Sequence, residues 1–196
     1  KGACNYAVFA SKCWPAWQPV FNFEPCYVNS RLTGRGIPVA CEVDLYGAVS
    51  EYMAECASEM PATLLDINNS VPDDVIPEGA NLEGASKKDL YMGFHCGNTC
   101  SSCMKSCKIK YQLIQARLMG EDITKGTLEG QIKPSPTTMF RLQSNSDSKL
   151  VSYIAEGHFL DIDPCSFGGI GIAAIPGFAR FYRHVLVGKR FPHHGA

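Results

Sequence analysis

The chain has 196 residues, of which 45% are hydrophobic and 19% charged, and its 18 basic and 19 acidic side chains leave a formal net charge of −1. This composition is typical of a globular protein, and the balanced charge lacks the basic excess of a nucleic-acid-binding protein. No apolar run approaches the roughly 18 residues that cross a bilayer, so we expect neither a nucleic-acid nor a membrane partner.

The cysteine content and the chain ends indicate the compartment and the completeness of the protein. Ten cysteines are about 5% of the residues, below the roughly 8–10% of a disulfide scaffold. We therefore expect reduced thiols and a cytoplasmic protein. The chain begins at Lys1 without a leader pattern and ends just after His193 and His194. This predicts a part of a longer protein, in which further segments complete the site.

The first third of the chain predicts an α/β pattern. Residues 37–41 form a short apolar run typical of a strand, and residues 62–67 read as a buried strand. Between them, residues 44–60 place apolar side chains at helical spacing, and their first residue, an aspartate, is a candidate N-cap. Glu42 and Asp66 would then lie at the carboxyl ends of two strands, where ligands gather in α/β folds.

From residue 71 onward the pattern changes to predicted β structure. Residues 71–88 are rich in Pro, Gly and Asp and predict a loop, and residues 108–119 predict a short helix or strand. After Gly130, short segments with Ser, Asn and Gly turns predict an antiparallel sheet or barrel. The predicted segments are 131–133, 137–142, 150–154, 157–162, 170–175 and 181–187. The predicted fold class is therefore α+β.

Glu42, Asp66 and the pair His193 and His194 are candidate ligands of one metal ion. Carboxylates with an imidazole suit Mn²⁺ or Mg²⁺ better than thiophilic metals, and three protein ligands leave positions open for substrate oxygens. Each residue also has a local explanation. Glu42 would favour a helix N-terminus, Asp66 would form an Asx turn, and the histidines would lie in a solvated loop.

Cys96-x₃-Cys100-x₂-Cys103-x₃-Cys107 is a second candidate metal site, for zinc or an iron–sulfur cluster. Its spacing contains one Cys-x₂-Cys but lacks the second such pair of a zinc ribbon, and it matches neither ferredoxin pattern. The alternative is a set of reduced, partly buried thiols that pack as small hydrophobes.

A glycine motif near the end, Gly169-x-Gly171-x-x-Ala174, superficially fits the dinucleotide-binding fingerprint. That fingerprint requires a strand before it and a helix that opens after it. Pro176 and Gly177 follow at once and prevent such a helix. We interpret the match as accidental.

Five short segments occur in an order and spacing that point to a known family. They are Lys12-Cys13-Trp14-Pro15, Ala40-Cys41-Glu42-Val43-Asp44-Leu45-Tyr46-Gly47-Ala48, Leu64-Leu65-Asp66-Ile67-Asn68-Asn69, Phe94-His95-Cys96-Gly97-Asn98-Thr99 and Phe191-Pro192-His193-His194-Gly195-Ala196. Together they resemble the carboxyl-terminal part of the L-fucose isomerase/L-arabinose isomerase family, over nearly the whole chain. The resemblance implies the end of an α/β, Rossmann-like middle domain at residues 1–60. A mainly antiparallel, β-barrel-like domain, truncated in this chain, would follow at residues 61–196.

The same resemblance implies an activity and a set of site residues. The protein would be a metal-dependent intramolecular oxidoreductase that interconverts an aldose and a ketose through a cis-enediol, with Mn²⁺, or Mg²⁺ or another divalent ion, as cofactor. Matched motif by motif, Glu42, Asp66 and His194 would hold the metal, and Glu42 or Asp66 would be the catalytic base. Trp14 and His193 would contact the sugar. The family also implies a homo-oligomer, a trimer or a hexamer.

Two other functions remain open on the residues alone. The chain would be a thiol-metal protein if the run from Cys96 to Cys107 binds zinc or iron, or a sugar-binding module without catalysis. Three features depart from the family pattern. One is the dense cysteine run, and another is Lys12, which stands where the resemblance leads us to expect an uncharged polar residue. The third is the amino-terminal portion of the family, which this sequence does not contain, so the fragment alone would carry metal ligands without being active.

Overall fold

The computed structural model of the chain describes residues 6–68, 71–166 and 168–176. Within these ranges it contains four α-helices, nine strands and short 3₁₀ turns. The helices are α1 (Gln18–Phe21), α2 (Cys26–Thr33), α3 (Leu45–Ser58) and α4 (Leu113–Met119). The strands are β1 (Phe9–Ala10), β2 (Val39–Ala40), β3 (Asp66–Asn68), β4 (Leu90–His95), β5 (Lys108–Tyr111), β6 (Lys125–Gln131), β7 (Ser135–Ser144), β8 (Leu150–Phe159) and β9 (Gly169–Ala174).

The larger sheet is built around β9 and is mainly antiparallel. Its pairing order is β3-β4-β9-β6-β5, and β8 also pairs with β9 and joins β7 to the sheet. Of the strand pairs in this sheet, only β6 with β9 is parallel. A separate parallel pair joins β1 to β2. None of the described helices is long and apolar enough to cross a bilayer.

Strand β9 is central because both of its faces are covered. Its six residues are all buried. Ala173 belongs to one apolar cluster with Met139 and Phe159, whereas Ile172 belongs to another with Leu160. The glycine motif lies inside this strand, where a Cβ on Gly171 would stand 2.7 Å from the ring of Phe159. The glycines therefore serve close packing in a sheet.

Helix α3 confirms the helix predicted over residues 44–60. Asp44 is the N-cap, because its carboxylate accepts a hydrogen bond of 2.8 Å from the backbone N–H of Gly47. The buried face differs from the apolar stripe of the sequence, however. Small residues such as Ala48 and Ala54 pack inward, while Leu45 is 68% exposed. The larger apolar side chains Leu45, Val49 and Met53 of the helix are exposed, as is Met60 just beyond its end.

The strand predicted over residues 62–67 is wrong in its bounds. The observed β3 begins at Asp66 and pairs antiparallel with β4, so that Asp66 faces Phe94. Leu64 and Leu65 are buried against two different clusters without a regular ladder, which is why hydrophobicity alone misplaced the strand. Since β2 and β3 belong to different sheets, the predicted β-α-β unit is absent from the described residues, and Asp66 begins its strand rather than ending one.

The later segments follow the prediction more closely. Residues 71–88 hold only 3₁₀ turns, and residues 108–119 contain both of the predicted alternatives, strand β5 followed by helix α4. Strands β7 and β8 form a hairpin in which Ser144 pairs with Leu150. The mixed α and β composition and the mainly antiparallel sheet are thus confirmed. The segment predicted over 181–187 lies outside the described residues.

Several polar contacts join residues on the two sides of the predicted boundary at residues 60 and 61. Arg141 of β7 forms an ion pair with Asp44, and Leu142 donates its backbone N–H to the Ser50 hydroxyl at 2.9 Å. The side-chain amide of Asn98 donates to the carbonyl of Val39 at 2.8 Å. Helix α3 is thereby fixed against the larger sheet.

Candidate active site

A cavity of about 410 Å³ brings together three of the residues predicted from the sequence. Trp14, Glu42 and Asp66 all line it, although 28 and 24 residues separate them along the chain (42 − 14 and 66 − 42). The other lining residues are Lys12, Cys13, Phe94, Cys96, Gln112, Ile114, Gln115 and Leu118. His193 and His194 lie outside the described residues. The two carboxylates predicted for the metal thus share one cavity.

Glu42 is presented by a tight turn between β2 and α3. Both Glu42 and Val43 have left-handed backbone conformations, with φ of 61° and 60°. This is a costly conformation for a β-branched residue such as Val43. Two hydrogen bonds hold the turn, from the N–H of Val43 to Ser11 at 3.1 Å and from the N–H of Asp44 to Cys41 at 3.2 Å. The strained turn leaves the Glu42 side chain exposed at the cavity.

Asp66 is the more buried of the two carboxylates. It stands at the start of β3, and burial together with the nearby carboxylate of Asp44 raises its pKa. Asp44 itself is paired with Arg141, whose Nη2 donates to Oδ1 at 3.0 Å. Of the described residues, none forms an ion pair with Glu42 or Asp66. The negative charge in the cavity is therefore not balanced by a direct cationic partner.

A divalent cation that prefers oxygen ligands fits this donor set. Two carboxylates with no ion-pair partner line one cavity, and the charged form of Asp66 is disfavoured by burial. A cation would reverse that effect, because an opposite charge favours an ionised carboxylate. Within the described ranges, no three His, Cys, Asp or Glu side chains are grouped so that they could hold a metal ion. Glu42 and Asp66 thus need a further ligand, and His194 was predicted for that role.

Helix α4 forms a wall of the cavity that the sequence did not reveal. Gln112 is its N-cap, and its side-chain oxygen accepts from the N–H groups of Ile114 and Gln115 at 2.6 and 2.8 Å. The Gln115 oxygen in turn accepts from the Gln18 amide at 2.8 Å. Polar residues at an N-cap carry no sign of a nearby cavity in the sequence, since only the tertiary fold brings α4 to Glu42 and Asp66.

His95 is a second residue near the site whose position was not predicted. It is 2% exposed at the end of β4, and desolvation lowers its pKa, while the charge of Glu42 acts in the opposite direction. Its Nδ1 is buried and has no hydrogen-bond partner among the described residues. Burial thus disfavours the charged imidazolium form of His95, and the ring is close enough for the charge of Glu42 to affect its pKa.

The cysteine run does not form a four-thiol centre. Its four cysteines are all free thiols. They belong to the described residues, in which no three potential ligands are grouped so that they could hold a metal ion. Cys96 lines the cavity, where burial raises its pKa to about 12. Cys100 behaves differently, because hydrogen bonding from Cys103 is the main cause that lowers its pKa to about 6. The thiols thus occupy distinct environments.

Comparison with known proteins identifies the family to which the chain belongs. Residues 93–196 match the family model of the L-fucose isomerase C-terminal domain, and because this is more than half of the chain, the chain belongs to that family. The resemblance drawn from the short motifs is thereby confirmed.

One similar protein is a sulfoquinovose isomerase from Clostridium sp. (strain MSTE9). It is 26% identical over 176 residues, which cover 89% of this chain and 35% of that protein. The chain thus spans about a third of the length of this curated relative.

Proposed function

We propose that the protein to which this chain belongs is a metal-dependent aldose–ketose isomerase, and that this chain supplies two carboxylate ligands of its metal, Glu42 and Asp66. The observation that carries the proposal is the convergence of these two residues in one cavity, in a chain of the L-fucose isomerase C-terminal domain family. His194 is the proposed third ligand, and Mn²⁺ the proposed ion. By family resemblance the assembly would be a homo-oligomer, a trimer or a hexamer, in the cytoplasm.

The reaction moves hydrogen between neighbouring carbon atoms of the open-chain sugar. When bound, a divalent ion polarises the sugar carbonyl and acidifies the adjacent C–H. One carboxylate, Glu42 or Asp66, takes the proton from C2 while the C1 oxygen gains one, which gives the cis-enediol. The resulting carboxyl group returns a proton to C1 as the C2 oxygen loses its own, and the product is a ketose. No net oxidant is needed.

The remaining lining residues support binding of a sugar in this cavity. Trp14 offers an apolar ring on which the C–H face of a sugar can pack. Gln115 offers an amide, and Ile114 and Leu118 supply apolar surface. A largely apolar wall with a few placed polar groups is the usual character of a small-molecule site.

The test uses the full-length protein, with and without added Mn²⁺, and the aldoses L-fucose, L-arabinose, D-arabinose and sulfoquinovose. We expect ketose from at least one of them, and we expect Glu42→Gln and Asp66→Asn each to lower kcat at least 10³-fold, roughly the loss of a group that acts in the transition state. Asp147→Asn is the matched control, because Asp147 is exposed in the β7–β8 turn. Formation of no ketose from any aldose would leave a sugar-binding module and refute the isomerase.

Lys12 favours a sugar with an acidic substituent as a candidate substrate. It is the basic residue among those that line the cavity, and it takes part in none of the ion pairs of the described residues. The name of the relative specifies sulfoquinovose, a hexose that carries a sulfonate. A sulfonate beside Lys12 would give its ammonium group a partner.

Substitution of Lys12 separates acidic from neutral sugars. We expect Lys12→Gln to lower kcat/KM for sulfoquinovose roughly 10–100-fold, the usual value of a hydrogen bond to a charged group, mainly through KM. Turnover of L-fucose by the same variant should change less than about twofold. An equal loss with both sugars would mean that Lys12 has no role in selecting the charge of the substrate.

A further inference from the structure

Two buried cysteines lie in contact beside the cavity. The thiol of Cys41 donates to the sulfur of Cys13, and their sulfur atoms are 3.3 Å apart. Cys13 is 5% exposed and Cys41 is 1% exposed, and both are reduced. A disulfide bond measures about 2.05 Å, so the two sulfurs need to approach by only about 1.2 Å to form one.

The two segments that carry these thiols are already held side by side. Strands β1 and β2 pair in parallel, and the pairing continues beyond them, because the N–H of Ser11 donates to Ala40 at 2.8 Å and the N–H of Val43 donates to Ser11 at 3.1 Å. The backbone pairing therefore holds the segment that ends at Cys13 beside the segment that contains Cys41, and the two sulfur atoms are in contact across it. A covalent bond here would require a small local shift and no rearrangement of the fold.

The pair is reachable from the cavity. Cys13 is one of the lining residues, whereas Cys41 lies behind it with almost no exposure. A small oxidant that enters the cavity therefore meets Cys13 first and Cys41 second. This order suits a two-step oxidation, in which one thiol reacts with the oxidant and a resolving thiol then completes the bond.

We propose that Cys13 and Cys41 form a reversible redox site, which hydrogen peroxide converts to a disulfide. The Cys13 sulfur attacks the peroxide oxygen, the O–O bond breaks, and the products are a sulfenic acid and water. The Cys41 sulfur then attacks the Cys13 sulfur, the sulfenic oxygen leaves as a second water, and the S–S bond forms. The two thiols are oxidised by two electrons, and the peroxide is reduced by two.

The disulfide would act on the active site through its neighbours. Lys12 and Trp14 flank Cys13, and Glu42 follows Cys41. Closing the gap between the sulfurs moves at least one of these segments, and the turn at Glu42 already has a strained backbone. The oxidised protein should therefore hold Trp14 and Glu42 in altered positions, and a reducing thiol should restore them.

The test is chemical and does not depend on the isomerase activity. The full-length protein is treated with hydrogen peroxide, its remaining thiols are alkylated, and a non-reducing digest is analysed by mass spectrometry. We expect a peptide pair linked through Cys13 and Cys41 that disappears with dithiothreitol. It should be at least tenfold more abundant than any pair through the exposed Cys56 or Cys165. A Cys13 that stops at sulfinic acid with Cys41 still alkylated would overturn the proposal.

Variants and activity then extend the result. Cys41→Ala should leave a Cys13 sulfenic acid that dimedone labels, whereas Cys56→Ser should cross-link as the wild type does. If Cys41→Ala fails to fold, the wild-type peptide map alone decides. Retention of both thiols in the wild type while Cys56 is oxidised would also overturn the proposal. The linked peptide without any change in ketose formation would confirm the redox site and refute its effect on the active site.

Discussion

Two regions of the chain carried candidate metal ligands, and the fold treats them in opposite ways. Glu42 and Asp66 are 24 residues apart along the chain (66 − 42), yet they line the same cavity. Cys96 and Cys107 are only 11 residues apart (107 − 96), with two further cysteines between them, yet the described residues form no metal-binding group there. Nearness in sequence was thus the weaker guide.

The difference arises from how each region is positioned by the fold and from the hydrogen-bond partners that its side chains have. The carboxylates stand at points where elements of different sheets meet, and each is held by backbone pairing, Glu42 by the turn after β2 and Asp66 by its register with Phe94. The cysteine run follows β4 through a loop and a 3₁₀ turn. Cys100 contacts the nearby Ser102 hydroxyl, and Cys103 donates to the carbonyl of Pro61, which is distant in the sequence. Cysteines that pack and hydrogen-bond within the fold need no metal to be satisfied.

The most direct test of whether the carboxylates or the cysteines bind a metal is to measure bound metal in variants of both regions. We expect Asp66→Asn to lower the Mn²⁺ retained by the full-length protein at least tenfold, because a charged ligand becomes neutral. Cys107→Ser should retain as much as the wild type. Zinc or iron in the purified protein that is lost only in Cys107→Ser would reverse the assignment of the two regions.

Loss of the ion pair between Arg141 and Asp44, which holds α3 near the two carboxylates, should have the next largest effect. Arg141 and Asp44 are only 11% and 18% exposed in their side chains, so Arg141→Met leaves a partly buried carboxylate without its partner. We expect a loss of roughly 2–4 kcal/mol in the free energy of unfolding, measured by urea denaturation. Lys149→Met, at an exposed position, is the control. A loss below about 0.5 kcal/mol would show that Asp44 keeps α3 in place without Arg141.

Glu24 is a third carboxylate to compare with Glu42 and Asp66, and it is buried near Gln18, which contacts α4 through Gln115. It is 1% exposed, accepts a hydrogen bond of 2.6 Å from Gln18, and has a pKa raised by burial to about 7. Because the folded pKa lies above the ordinary value of 4.5, stability should fall as the pH rises from about 4.5 to 7 and stay lower beyond that. Glu24→Gln should therefore gain roughly 1–3 kcal/mol at pH 8 and nothing at pH 4.

Urea denaturation of Glu24→Gln at the two pH values checks this prediction. Glu121→Gln, at an exposed position, is the control and should show no difference at either pH. An equal gain at pH 4 and pH 8 would mean that packing, and not the ionisation of Glu24, sets the effect.

The sequence predicted those elements that are determined by residues close together in the chain. The N-cap at Asp44 and the hairpin around Ser144 were both visible as short-range chemistry. The start of β3 was not, because Leu64 and Leu65 are as apolar as strand residues but are buried without a ladder. A sequence also has no means to show that Gln112 and Gln115 reach the cavity.

The candidate site was predicted in part, and from a different kind of signal. Glu42 and Asp66 were candidates from their ligand chemistry, the resemblance of ordered motifs to a family added roles for them and for Trp14, and the structure places all three at one cavity. Their neighbour His95 stands in another of these motifs but was given no role, because the sequence does not show that the end of β4 lies beside Glu42. The assignment of His194 stays a prediction, as it lies outside the described residues.

The polar contacts that tie β2 and α3 to residues beyond position 60 have a consequence for any attempt to divide the protein. A cut after residue 60 would separate Asp44 from Arg141, Ser50 from Leu142 and Val39 from Asn98. Each fragment alone would present to water groups that normally satisfy one another. When mixed, the two fragments should recognise each other and reassemble, so that the chain behaves as a single cooperative unit despite its change of architecture.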